Sequence, residues 1–426
     1  MMHSLFEGRK LSIPRVALAL LVLIVSIAGI WAWLTYTQTA SKKLPASWFA
    51  GYVDVTATPS YTFESQTGNA YNNIILGFIT GADCTPSWAG YYSLDEAQAH
   101  LDLDSRIIQT QRSDRSVTIS LGGQKGDELA TTCTRADLLV DAYRSLLTRY
   151  NVTSLDFDIE GNNFSPDALN RRAQAVAELA RTSKNPLTIS LTLPADSHGL
   201  TRQGLAQINA FLDAGIVPAN VNLMTMDFNI RSTQENQSTL IKKALNAAHD
   251  QYTSALYRHG KLFASHQVWQ LLGATVLIGQ NDTAGEYFTL ENAREINTFA
   301  LQAGLGRLSM WSLNRDYQCG ENFTNSSQLR TFCSSVQQGD GEFAHTLSQG
   351  FRGVPGILVH DEEHTGNGNS HSSPYPTWDS SSEYKHGDKV IWNGYIYEAL
   401  TPNRGEQPDS VQTDNSSAWR VVGPTL

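Results

Sequence analysis

The chain has 426 residues, too many for one ordinary domain core, so at least one full domain with additional pieces is expected. Its 31 Lys and Arg against 41 Asp and Glu leave a net charge of −10, which excludes a polyanion binder built on clustered cations, so nucleic acid is not an expected partner. Hydrophobic residues at 41% and charged residues at 17% exclude a disordered chain.

Residues 16–34 read VALALLVLIVSIAGIWAWL, a run of 19 without a charge, near the length a helix needs to cross the hydrocarbon core. Arg9, Lys10 and Arg15 precede it, and Trp31, Trp33 and Tyr36 stand at its far end as an interfacial aromatic belt does. Lys42 and Lys43 follow and weaken the charge asymmetry. The reading is a transmembrane signal anchor over 16–36, with residues 1–15 cytoplasmic. A cleaved signal peptide is the alternative, although its apolar core is shorter and ends at a small-residue site that 39–40 fits poorly. A buried soluble helix is a third. Either export route places the rest of the chain outside the cytosol, at the cell membrane or secreted.

After the anchor, short β-branched or aromatic runs recur at 48–56, 73–80, 116–123, 154–160, 187–194, 221–228, 275–281 and 308–314. Between them lie stretches such as DLLVDAYRSLLTRY (137–150) and DALNRRAQAVAELARTS (167–183), where apolar residues return every three to four positions. Eight strand–helix units predict an α/β fold, a closed (β/α)8 TIM barrel over 45–336. A doubly wound open sheet would show fewer units and a glycine-rich first turn, which the chain lacks. Residues 337–377 read as a linker, rich in Gly, Ser, Asn and His over 361–376; its His360, His364 and His371 are expected to be solvated. Aromatics return in 378–426 with β-type alternation, predicting a small all-β module. None of the four cysteines sits in a C-x-x-C or beside a histidine at ligand spacing, so neither metal nor cofactor is expected. Proximity in sequence suggests the pairs Cys84–Cys133 and Cys319–Cys333.

Barrel chemistry collects at the C-terminal ends of strands, which draws attention to the fourth, Ser154-Leu155-Asp156-Phe157-Asp158-Ile159-Glu160. Successive strand residues point to opposite faces, so Asp156, Asp158 and Glu160 share the interior face while Leu155, Phe157 and Ile159 face the helices. Three carboxyls this close in a poorly solvated cavity cannot all ionise, so at least one proton is held. Glu160, nearest the mouth, is best placed to hold and deliver it.

That strand resembles the D-x-x-D-x-D-x-E signature of glycoside hydrolase family 18, the chitinases and related endo-N-acetylglucosaminidases. The last three acids fall on Asp156, Asp158 and Glu160, and the first falls on Thr153, a departure. Residues 116–123 (SVTISLGG) are similar to the family's S-x-G-G, with Gly122 and Gly123 expected to permit close backbone packing. Met224-Thr225-Met226-Asp227 resembles its M-x-[YM]-D, with Met226 where many relatives carry tyrosine. Met310-Trp311-Ser312-Leu313-Asn314-Arg315-Asp316 resembles the strand-eight segment that carries the sugar-stacking tryptophan. All four occur in order, and the resemblance covers 48–336.

The resemblance implies Glu160 as general acid and then base, and Asp158 as partner of the substrate acetamido N–H. It implies Asp156 sharing a proton with Asp158, Asp227 touching the acetamido oxygen and Glu160, and Trp311 under the sugar ring, with Met224 lining the site. Gln280 and Asn281, ending strand seven, either meet sugar hydroxyls or cap the next helix. The implied reaction is cleavage of β-1,4 links between N-acetylglucosamine units with retention, the acetamido oxygen acting as nucleophile. The expected partner is chitin or another N-acetylglucosamine glycan, and a monomer is expected. The alternatives are a non-catalytic glycan-binding lectin on the same barrel and an endo-β-N-acetylglucosaminidase for other glycans. Residues 378–426 resemble the chitin-binding modules of carbohydrate-binding families 5 and 12. Their usual tryptophan pair is replaced here by Leu400-Thr401-Pro402.

Overall fold

The computed structural model describes residues 46–65, 72–229, 235–321, 329–356, 359–360, 375–392, 395–408 and 418–424. The expected anchor at 16–36 and the linker residues His364 and His371 lie outside them. Among the described residues no helix is long and apolar enough to cross a membrane.

Eight parallel strands close into a barrel: β1 (Trp48–Asp54), β2 (Asn73–Ala82), β3 (Ser116–Gly122), β4 (Ser154–Asp158), β5 (Thr188–Asp196), β6 (Asn220–Met224), β7 (Leu272–Leu277) and β8 (Arg307–Trp311). Closure comes from β1, which pairs with β2 on one side and β8 on the other. Each sequence-predicted run overlaps one of these strands, the seventh (275–281) by only its first three residues. The helices between them bury one stripe each. In α3 (Ala136–Tyr150), counting α1 (Leu94–Leu101) and α2 (Leu103–Arg112) before it, Leu139, Tyr143, Leu146 and Tyr150 return at helical spacing and are buried. Phe157 of β4 meets Tyr143 edge-on at 5.3 Å, so the apolar face of that strand packs against helices. Asn151, in the left-handed conformation, ends α3 and turns the chain into β4. Ser165 caps α4 (Pro166–Thr182), whose first residue is proline, so the chain reverses within one short turn of Glu160.

The barrel interior is polar. Thr118 and Ser154 share a hydrogen bond at 2.8 Å, and Asn222 donates to Thr192 Oγ1 at 3.1 Å and Thr275 Oγ1 at 2.6 Å. Hydrophobic burial is instead concentrated between strands and helices.

The linker expectation for 337–377 needs correction. Residues Glu342–Ser348 form a helix, and Phe343, Leu347 and Phe351 are buried in the main core. Their spacing of four residues is a helical signal inside an otherwise polar region. The chain then crosses the N-terminal face of the barrel. Gly353 N donates to Ser47 O at 2.8 Å, Asn73 Nδ2 to Gly353 O at 3.2 Å, and Thr188 Oγ1 to Gly356 O at 2.6 Å. Val359–His360 then pairs with Ile216–Val217.

Both suggested disulfides are present, Cys84–Cys133 and Cys319–Cys333. The C-terminal segment forms small antiparallel sheets around Tyr384, Val390, Tyr397, Ala399 and Trp419. Its aromatics are mostly core: Tyr384 meets Trp419 at 5.0 Å and Trp378 meets Trp392 at 4.9 Å.

Candidate active site

β4 carries Asp156 and Asp158 on its inner face, and the chain leaves the strand at Glu160 with extended backbone. Register places Ser120 and Ser190 beside Asp156, and Gly122 and Thr192 beside Asp158. Asp156 is fully buried and accepts five hydrogen bonds. Tyr52 and Ser120 hydroxyls donate to Oδ2, each at 2.8 Å. Ser190 (2.5 Å), Thr192 (2.8 Å) and Arg307 Nη1 (3.1 Å) donate to Oδ1. Arg307 enters from the first residue of β8, fully buried, and also donates to Tyr52 Oη at 2.8 Å and Ser309 Oγ at 2.6 Å. A buried guanidinium stays charged and requires an anion, and Asp156 is that anion.

Asp158 shares a side-chain hydrogen bond with Glu160, and its Oδ1 is buried without a partner among the described residues. Burial raises the Asp158 carboxyl well above the usual carboxylate range. The charges of Glu160 and Asp156 and the bond to Glu160 add to the rise, and Arg307 opposes it. Glu160 is also raised, chiefly by burial. The hydrogen bond from Asp158 lowers it, and Asp282 and Asp227 raise it again. Both carboxyls are thus biased toward the protonated form, Asp158 the more strongly. Desolvation makes the difference, because Asp158 is 5% exposed and Glu160 lies further out.

Two glycines make room for the pair. Gly123 N donates to the Asp158 carbonyl at 2.9 Å, and Gly122 has φ +102° with its backbone against the same carbonyl. The S-x-G-G segment is thus a seat for the Asp158 backbone.

The rim is built from loops after β6, β7 and β8. Asp227, at φ +53°, accepts the Thr283 amide at 2.7 Å, and its carboxyl is raised chiefly by burial. It caps no helix. Asn281 is buried and committed: Oδ1 accepts from Gln237 Nε2 (2.7 Å) and Asp227 N (3.3 Å), while Nδ2 donates to Leu277 O (2.9 Å) and Gly279 O (3.2 Å). It ties the β6 and β7 loops together. Gln280 is buried and bonds through its backbone, accepting from Arg315 Nη2 at 2.8 Å. Met224 closes β6 among buried residues, and Trp311 ends β8 half-buried, stacked on Phe78 at 5.3 Å and tilted against Tyr52 at 6.0 Å. Among the described residues no cluster of His, Cys, Asp and Glu is placed to hold a metal ion.

The sequence profile of Glycosyl hydrolases family 18 matches residues 49–266, just over half of the chain. The chain belongs to this family. It is 29% identical over 299 residues to a "Probable bifunctional chitinase/lysozyme" of Escherichia coli (strain K12), covering 67% of this chain and 33% of the relative. It is 28% identical over 291 residues to "Endochitinase 11" of Metarhizium anisopliae, covering 65% of this chain and 54% of the relative. The chain thus spans about a third and about half of the lengths of these curated relatives. The catalytic domain of a hyperthermophilic chitinase from Pyrococcus furiosus superposes with a TM-score of 0.62 at 24% identity, over 72% of this chain and 97% of that one, which shows a common fold.

As a family 18 barrel the chain carries features that motif reading did not pick out, above all Tyr52, Arg307 and Arg315. A signal existed for Arg307: a cation heading an otherwise apolar strand (RLSMW) must find a buried anion. Arg315 braces the rim through the Gln280 and Arg330 carbonyls, and burial lowers its guanidinium to about 10 while Asp282 and Asp227 oppose the fall.

Proposed function

We propose that this chain is a chitinase-type glycosidase that hydrolyses β-1,4 links between N-acetylglucosamine units with retention of configuration. The observation that supports this reading is the buried Asp158–Glu160 carboxyl pair, both raised toward the protonated form, in a family 18 barrel. The substrate supplies its own nucleophile, the acetamido carbonyl oxygen, so the site needs a proton donor and a group to steer the amide. When the acetamido N–H reaches Asp158, that carboxyl becomes an acceptor and its proton passes to Glu160. Glu160 then protonates the leaving glycosidic oxygen as the acetamido oxygen closes on the anomeric carbon. Asp158 stabilises the resulting oxazolinium charge, and Glu160 takes a proton from the water that opens the ring on the vacated face. Two inversions give retention. Asp227, its carboxyl biased toward the protonated form, meets the acetamido oxygen, and Trp311 stacks under the ring.

Glu160→Gln tests this: hydrolysis of a soluble chitooligosaccharide is expected to vanish while binding persists. Unchanged turnover ends the proposal, and a panel of N-acetylglucosamine glycans identifies the preferred linkage. The membrane anchor at 16–36 and an extracytoplasmic barrel belong to the same reading, supported by two disulfides. Chitin binding by 378–426 would rest on the half-buried Trp392 or on Tyr395; retention of the full chain on chitin beads, compared with Trp392→Ala, measures it.

A further inference from the structure

Arg307 is the one charged side chain of β8, and its whole inventory of partners lies inside the barrel: Asp156, Tyr52, Ser190 and Ser309, with its guanidinium over the rings of Trp48 at 5.2 Å and Tyr52 at 5.4 Å. Among the described residues Arg307 itself bonds no residue of the rim, so a purely structural plug would serve as well with an apolar residue. What an apolar residue does not supply is charge. Asp156 stands between this cation and Asp158, two positions along the same strand face. We propose that Arg307 is a positioning residue of the reaction: clamped to Asp156, it sets the net charge against which the Asp158–Glu160 pair holds its proton. The proposal rests on the glycosidase reading above for its kinetic consequence, although not for its electrostatics.

The other groups that face this centre are few. From β1 comes the Tyr52 phenol, pushed far above its usual range by burial. From β4 come Asp158 and Glu160, and at the rim Asp227 and Asp282 act on Glu160. Strands β3, β5, β6 and β7 present only hydroxyls and amides there, Ser120, Ser190, Thr192, Asn222 and Thr275. Arg307 is therefore the sole cation among the described residues bonded to the trio or its direct partners. Without it, the Asp156 charge acts on Asp158 unopposed, or Asp156 itself competes for a proton; in both cases protons leave the site at higher pH. Without Asp156, the guanidinium acts unopposed and protons leave at lower pH.

The test is a pair of charge-removing variants read two ways on the full chain. The pH profile of kcat/KM on a chitooligosaccharide and the side-chain carboxyl 13C NMR titration of Asp and Glu are measured for each variant. Arg307→Met should move both to higher pH by about one unit or more. Asp156→Asn should move the NMR titration, and whatever residual profile remains, to lower pH. The double variant should return toward the wild type, and Arg307→Lys should stay near it. A folded Arg307→Met with an unshifted titration, or two single variants shifting in the same direction, overturns the proposal. If Arg307→Met does not fold, Asp156→Asn and the double variant carry the same test, and a titration that the second charge removal leaves unmoved is the adverse result. If the wild type hydrolyses nothing, the proposed function fails, whereas the NMR titration still decides the role of Arg307.

Discussion

A Cβ added to Gly122 would lie 2.0 Å from the carbonyl oxygen of Asp158. Backbone meets backbone there, so no side-chain adjustment relieves the contact, and φ +102° is itself unfavourable for any residue with a Cβ. Gly122→Ala is expected to destabilise the protein by about 2 kcal/mol or more, from strain and overpacking together. It should also lower kcat more than stability alone predicts, because Asp158 is pushed toward Glu160. Denaturant unfolding and single-turnover rates check the two parts separately.

Trp311→Ala removes a ring that stacks on Phe78 and borders Tyr52 at the end of β8. Loss of one aromatic face corresponds to about tenfold weaker binding of chitooligosaccharides. Titration calorimetry on a Glu160→Gln background measures this without turnover. An unchanged affinity would place the sugar elsewhere.

Cys84 leaves β2 and Cys133 follows β3, so their disulfide closes 49 residues of chain beside the mouth. Replacing both with serine is expected to cost about 2–4 kcal/mol of stability. The carboxylate pair lies on β4, outside the closed segment, so turnover at low temperature should persist. Thermal unfolding with and without reductant provides the measurement.

Asp316, just after β8, accepts the amides of Phe343 and Ala344 and the side chain of Gln338, so it anchors the helix Glu342–Ser348. Burial nevertheless raises its carboxyl from the ordinary value of 3.8 to about 6, those bonds lowering it only in part. A folded value above the unfolded one contributes stability that is complete below about pH 4 and is lost as pH rises through 6. The loss is at most about 3 kcal/mol. The stability of wild type relative to Asp316→Asn should fall across that window, as paired denaturant titrations at pH 4 and pH 7 would reveal; a flat difference contradicts the assignment.

The strands and the alternation of β4 were legible because they are local properties. Period-two patterning assigns Asp156 and Asp158 to one face and Phe157 to the other whatever the rest of the chain does, and the structure keeps that division. Patterning also located all eight strands, since each run alternates with a helical stripe that must bury itself against the sheet. The helix at Glu342–Ser348 was legible too, through Phe343, Leu347 and Phe351, but the polar residues around it obscured the signal.

Sequence alone determined which carboxyls face the barrel interior and in what order the strands present them. Only barrel closure decided which groups surround them. That setting depends on Tyr52, 104 residues from Asp156, and on Arg307, 151 residues from it, and these two lie 255 residues apart yet share a hydrogen bond. Pairing of the first and last strands removes water from that space, and in a dry interior the placement of one cation outweighs any local preference along the chain.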